Sequence, residues 1–199
     1  MMRTKKGATT VALGAVVTLA VAACSSGSGT SGATASGSPA TKGGTIYIIN
    51  KGPHNGLDPQ ASYVGADLEF ANRVYARSLT TYTSGSDPKL IPDLATDTGT
   101  MTNSGKTWAF TLIDTAKWQD GQKVTCDDVK YGISRTFATD VISNGPTYML
   151  SFLDVPPAAD STPSYKGPYG KSSDASVVAF NKAITCEGQK LTLHFSKAW

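Results

Sequence analysis

The chain has 199 residues, with 18 Lys and Arg against 15 Asp and Glu, 2 His and 3 Cys, and a formal net charge of +3. That excess belongs to Arg3, Lys5 and Lys6; beyond residue 23 the basic side chains number 15 against 15 acidic ones. No basic stripe is left for a phosphate backbone, which argues against nucleic acid as a partner.

The start of the chain joins that basic cluster to an apolar run from Val11 and to small residues at Val21-Ala22-Ala23 before Cys24. These are the parts of a secretory signal peptide. The run from Val11 to Ala23 includes Thr18 and falls short of the roughly 20 residues of a membrane-spanning helix. Val21-Ala22-Ala23-Cys24 resembles a bacterial lipobox, which implies cleavage before Cys24 and lipidation of its thiol; ordinary secretion and an uncleaved anchor are the alternatives. A diacylglyceryl group carries two chains, enough for stable attachment to the bilayer on the extracellular face of the cell membrane. Residues 25–44 are almost entirely Ser, Gly, Ala and Thr, with Lys42 as the only charge. Such a composition cannot recover its ordering entropy by burial and reads as a spacer. The expected boundaries are therefore a signal peptide over 1–23 and a lipidated tether over 24–44, leaving room for one modest domain or parts of two.

With Cys24 assigned to lipid, Cys126 and Cys186 are left as a pair in an oxidising compartment and are expected to form a disulfide, two separately buried thiols being the alternative. His54 and His194 are far apart and no Cys-x-x-Cys spacing occurs, so no metal site or cofactor is expected.

Residues 45–50 read as a buried strand, running into a turn or loop at Lys51-Gly52-Pro53-His54-Asn55-Gly56. Within 62–79, Val64, Leu68, Ala71, Val74, Tyr75 and Leu79 recur at helical spacing. The segment 88–94, broken by Pro92, reads as an irregular crossing. Over 107–113, Trp108, Phe110 and Leu112 alternate with Ala109 and Thr111, the period of a half-buried strand. Asp120-Gly121 reads as a hairpin or tight turn. Thr125 then fits a helix N-cap with Asp128 as its reciprocal partner, Asp127 and Asp128 placing negative charge in the first turn. Val129, Ile133 and Phe137 form the apolar stripe of that helix. A second helix is possible over 146–154. Residues 165–170 read as an exposed loop, Val177 to Phe180 as a short apolar segment, and 190–195 as a final strand.

Three segments in order resemble the extracytoplasmic solute-binding proteins of ABC importers, in the peptide, oligopeptide and nickel class (family 5). They are Leu57-Asp58-Pro59 ahead of Val74-Tyr75-Ala76-Arg77-Ser78-Leu79, then Leu90-Ile91-Pro92-Asp93-Leu94-Ala95, then the block from Thr107 through Trp118-Gln119-Asp120-Gly121 to Val124-Thr125-Cys126-Asp127-Asp128-Val129 and Arg135. Cys126 departs from the alanine usual in that motif, as in actinobacterial members. The resemblance implies a mixed α/β chain with a type II periplasmic-binding-protein-like fold, present in part: the first segment of lobe I over 45–82 and the small extra domain over 83–199. Members are considerably longer, so the chain reads as an N-terminal fragment.

The function implied is reversible capture of extracellular oligopeptides by a monomer that delivers them to a membrane permease. The loop Asn55, Gly56, Leu57 and Asp58 is the part expected to approach the solute. The alternatives are a lipid-anchored secreted hydrolase and a cell-wall adhesion module. His54, Asp58 and Ser62 could be assembled on paper into a catalytic triad, but no Gly-x-Ser-x-Gly, His-Glu-x-x-His or phosphate-loop pattern is present, and no catalytic residue is expected.

Overall fold

The computed structural model describes residues 43–49, 52–54 and 56–198. Residues 1–42, including the lipobox-like Cys24, and Asn55 of the predicted binding loop lie outside the described residues. The chain divides into two units, one ending at Ile48 and the other running from Ile49. In the first, residues 43–48 form no helix or strand, and Ile46 and Tyr47 are each 87% exposed. The strand expected over 45–50 is thus not formed among the described residues. An extended segment becomes a strand only through a ladder partner, and none pairs with it here.

In the second unit the element order is α1 (Gly65–Val74), β1 (Thr80–Tyr82), β2 (Leu90–Pro92), β3 (Thr100–Thr102), β4 (Thr107–Thr111), α2 (Cys126–Arg135), α3 (Tyr148–Phe152), α4 (Asp174–Ala183), β5 (Ile184–Glu187) and β6 (Lys190–His194). Four strands make an antiparallel sheet in the order β3-β4-β6-β5, and β1 pairs with β2 in a separate ribbon. The segment 88–94 is therefore partly a strand rather than an irregular crossing. Pro92 is tolerated because it ends β2 in a two-stranded ribbon, where a missing N–H costs little.

The register places Trp108 opposite Leu193 and Phe110 opposite Leu191, and Ile184 also faces Leu193. Paired residues share a face, so the alternation read from 107–113 holds: Trp108, Phe110, Leu191, Leu193 and Ile184 lie together, with the threonines of β4 and β6 on the other side. Helices α2 and α4 pack on β5 and β6. Between them lie Phe137, Ile184 and Leu191, each at most 1% exposed.

Thr125 caps α2 as expected: its hydroxyl accepts from the Asp128 N–H, and the Asp128 carboxylate accepts in return from the Thr125 N–H at 2.7 Å. The hairpin before it also forms, with Gly121 at φ +87 donating to the Trp118 carbonyl. The apolar segment at 177–180 is the middle of a longer helix, α4, capped by Ser173, whose hydroxyl accepts from the Ser176 N–H. The loop over 165–170 is not wholly exposed. Tyr165 enters the core, its ring stacked on Phe180 at 4.2 Å and set edge-on to Phe137 at 5.5 Å. Gly167, at φ +73, permits this: a Cβ there would lie 2.7 Å from the Ala138 nitrogen.

In α1 the inward face departs from the expected stripe. Asp67 and Ala71 are buried, while Val64 and Val74 are about half exposed, at 45% and 53%. A polar pairing with the preceding loop sets the rotation of this helix.

Candidate functional site

The covering helices leave part of the sheet's inner face open. Because α2 and α4 sit over β5 and β6, the β4 side chains Trp108 and Phe110 are only half-buried and floor a cleft of about 410 Å³. Leu79, Leu90 and Met149 form its apolar walls, Leu193 and Phe195 extend the floor, and Ser78, Thr80 and Thr98 contribute the only polar side chains of the lining. The backbone holds these walls in place. Asp93 and Ala95 donate to the Leu79 carbonyl, Leu94 to that of Ser78, and Ile113 in turn to Leu94, so the β1–β2 ribbon is tied to the end of β4.

The aromatic floor is fixed by local geometry. Trp108 Nε1 donates to the Gly105 carbonyl at 3.2 Å, and the Trp108 and Phe110 rings lie 15° from parallel with centroids 6.4 Å apart. Gly99, at φ +97, packs beneath them: a Cβ there would fall 2.5 Å from the Phe110 ring. A second cavity of about 400 Å³ shares Ser78, Leu79, Met149 and Leu193 with the first and reaches Gln60, Trp118 and Asp128. On its wall Arg77 is engaged by Asp93, donating from Nε at 2.9 Å and Nη2 at 2.6 Å.

The predicted binding loop is bound mainly to the protein itself. Asp58 Oδ1 accepts from the Gln60 N–H at 3.0 Å and Oδ2 from Arg135 Nη2. Arg135 also donates to Gln60 Oε1 at 2.7 Å and to the Tyr169 hydroxyl at 3.0 Å, while Gln60 Nε2 donates to the Gly132 carbonyl. The Asp58 hydrogen bond, then that of Tyr169, raises the Arg135 guanidinium above its already high ordinary value against the opposing desolvation, so it stays charged. Tyr75 donates to the Leu57 carbonyl at 2.7 Å. Gly56 and Leu57 are exposed, Leu57 by 68%. The structure thus gives Asp58 a fold-holding task and leaves the Leu57 side chain as the accessible part of the motif.

His54 and Ser62 converge, but not on Asp58. Asp67, 7% exposed, pairs with His54 Nδ1 at 2.9 Å and accepts from the Ser62 hydroxyl at 3.1 Å. The carboxylate stands between serine and histidine, and the Ser62 oxygen also accepts from the Val64 N–H. A nucleophilic serine needs the base within reach of its own proton; here that proton is given to Asp67. The paper triad of His54, Asp58 and Ser62 does not form. Among the described residues no group of three or more His, Cys, Asp or Glu could hold a metal ion, and no helix is long and apolar enough to cross a membrane.

Cys126 and Cys186 are joined by a disulfide with Cα atoms 5.8 Å apart. It ties the first turn of α2 to β5, the edge strand two places along the sheet from β4, which carries the cleft's aromatic floor.

Against known proteins, the profile of the bacterial extracellular solute-binding proteins, family 5 (middle segment), matches residues 89–185. Over that segment the chain is similar to the family 5 solute-binding proteins. No curated protein matches the sequence. Among solved structures, the chain is similar to the clavulanic acid biosynthesis oligopeptide binding protein 2, with 28% identity and a TM-score of 0.58 over 73% of this chain and 25% of that one. Similarity is also found to Listeria monocytogenes OppA bound to peptide (17% identity, TM-score 0.49) and to the Escherichia coli murein tripeptide binding protein MppA (22%, 0.49), in each case over 72% of this chain and 25% of the other. The chain therefore spans about a quarter of the length of these structures. Its mixed helices and strands, like those of the clavulanic acid biosynthesis protein, match part of the type II periplasmic-binding-protein fold. The aromatic cleft could not be read from the sequence, where Trp108 and Phe110 appear only as the inward side of a strand. Its walls come from Leu79, Leu90 and Met149, whose convergence is tertiary.

Proposed function

We propose that the whole protein binds a peptide-like solute outside the cytoplasmic membrane, without chemical turnover, and passes it to the permease of an ABC importer. The observation that carries this reading is the family 5 segment at 89–185, supported by the likeness at 28% identity to an oligopeptide binding protein. The occupied Ser62 hydroxyl fits a binding role better than a hydrolytic one. Calorimetry of the full chain against defined oligopeptide pools is expected to give saturable heat, with the peptides recovered intact. Cleaved peptides, or no saturable heat with any pool, would refute the reading.

The Val21-Ala22-Ala23-Cys24 motif adds a lipid anchor to this proposal. Mass spectrometry of the N-terminal peptide from the membrane fraction is expected to find diacylglyceryl on Cys24, and Cys24→Ala to move the protein into the soluble fraction with its peptide affinity unchanged. An unmodified Cys24 in the membrane fraction would remove the anchor from the proposal.

A further inference from the structure

We infer that Cys186 is a reversible modification site: a small external thiol enters the Cys126–Cys186 bridge at the Cys186 sulfur and forms a mixed disulfide there, with Cys126 as the sulfur released. This chemistry is independent of solute binding. The two halves of the bridge sit in unlike surroundings. Cys126, the first residue of α2, is 1% exposed and belongs to the packed interior with Ile184 and Leu191. Cys186 is partly exposed on β5, an outer strand of the sheet that among the described residues is paired on one side only, with β6. Just beyond it Glu187 and Gly188 are exposed.

An attacking thiolate approaches the sulfur it attacks from the side opposite the sulfur that leaves, so the two possible attacks come from opposite ends of the bridge. Attack on Cys186 comes from the β5 side, at the edge of the sheet; attack on Cys126 would have to come through α2 and the core around it. Exchange rates follow access and the choice of sulfur attacked, and both favour Cys186. The thiolate forms its new bond to Cys186 Sγ as the Sγ–Sγ bond breaks and Cys126 takes the electron pair. One disulfide replaces another, and no oxidant or reductant is consumed. Cys126 then takes a proton from water. The resulting thiol has an acceptor in place, because the Lys190 carbonyl oxygen lies 3.6 Å from Cys126 Sγ, and a buried donor with a partner has no cause to leave. Held there, Cys126 attacks the mixed disulfide in turn, expels the small thiol and restores the bridge, which makes it the resolving thiol of the pair.

The test incubates the oxidised full chain briefly with glutathione under native conditions, traps free thiols with maleimide in acidic denaturant and maps the peptides, with Cys24 scored on its own fragment. Glutathione is expected on the Cys186 peptide about tenfold or more often than on the Cys126 peptide, with Cys126 recovered as the trapped thiol. Adduct shared equally between the two, or carried mainly by Cys126, overturns the assignment. So does a bridge that exchanges in urea but not in the folded chain, because β5 would then be covered. When glutathione is removed at neutral pH before trapping, the Cys126–Cys186 bridge is expected to return; an adduct that persists overturns the resolving role of Cys126. Single variants give an independent reading. In Cys126→Ala the Cys186 thiol is expected to react with maleimide in the folded chain, and in Cys186→Ala the Cys126 thiol only after unfolding in urea. Equal rates in the two folded variants overturn the site, and if either variant fails to fold the wild-type map decides without it.

Discussion

A methyl group on Gly145 would lie 1.7 Å from the Gln60 carbonyl oxygen, whereas one on Gly132, inside α2, would meet nothing closer than the Gln60 side-chain nitrogen at 3.9 Å. Two glycines that face the same glutamine therefore have opposite expectations. Gly132→Ala removes the entropic cost of glycine in a helix interior and is expected to stabilise by roughly 0.5–1 kcal/mol. Gly145→Ala forces the Asp58–Gln60 turn off the body of the protein and is expected to destabilise by roughly 1–3 kcal/mol, as overpacking does. Urea unfolding midpoints of the two variants check this, and equal shifts of one sign would contradict it. Neither expectation was open to sequence reading. The Gln60–Gly132 bond joins positions 72 apart, and local pattern carries no trace of it. The same holds for Asp58: its place in a turn was legible, but Arg135 as its partner was not.

At the scale of elements, what the sequence revealed was what neighbours in the chain decide. The capping box of α2 depends on Thr125 and Asp128, three residues apart, and was readable; β5 was not, because Ile184–Glu187 follows α4 without a turn signal and is a strand only through its pairing with β6. The cap carries a pH dependence. Asp128 is lowered from its ordinary value of 3.8, first by the hydrogen bond from the Thr125 N–H and against desolvation. A carboxylate lowered in the folded state binds fewer protons there than in the unfolded chain, so its stabilisation is fully present above the ordinary value and fades as pH falls through the lowered one. Asp128→Asn, which keeps the shape and removes the charge, is expected to be less stable than wild type between about pH 5 and 7, with the gap closing below about pH 4. Thr125→Ala should cost about 1 kcal/mol at neutral pH. Thermal unfolding at several pH values measures both, and a gap for Asp128→Asn that stays constant down to pH 2–3 would refute the cap's charge as its source.

Over the molecule as a whole, one of the contacts between distant parts of the chain is covalent. Counting cysteines and reading the export signal suggested that Cys126 and Cys186 pair; only the fold shows what the bond does, because β5, which carries Cys186, could not be seen in the sequence. The bridge spans a separation of 60 residues and fastens the start of α2 to the β5 edge of the sheet, beside the packed interior of Phe137, Ile184 and Leu191. In the chain-entropy view, closing a loop of that length restricts the unfolded state by on the order of 4 kcal/mol, an upper figure where the reduced chain keeps residual structure. The packing that surrounds Cys126, which is 1% exposed, remains when the bond is opened, so reduction should weaken the fold rather than rearrange it. The expected outcome is a lower unfolding temperature in reductant, matched by the Cys126→Ala/Cys186→Ala double variant, with little further effect of reductant on that variant. Non-reducing peptide mapping should recover the two cysteines in one linked fragment. Two alkylatable thiols in the oxidised native protein, or an unfolding temperature that does not respond to reductant, would take the staple out of the account of this fold.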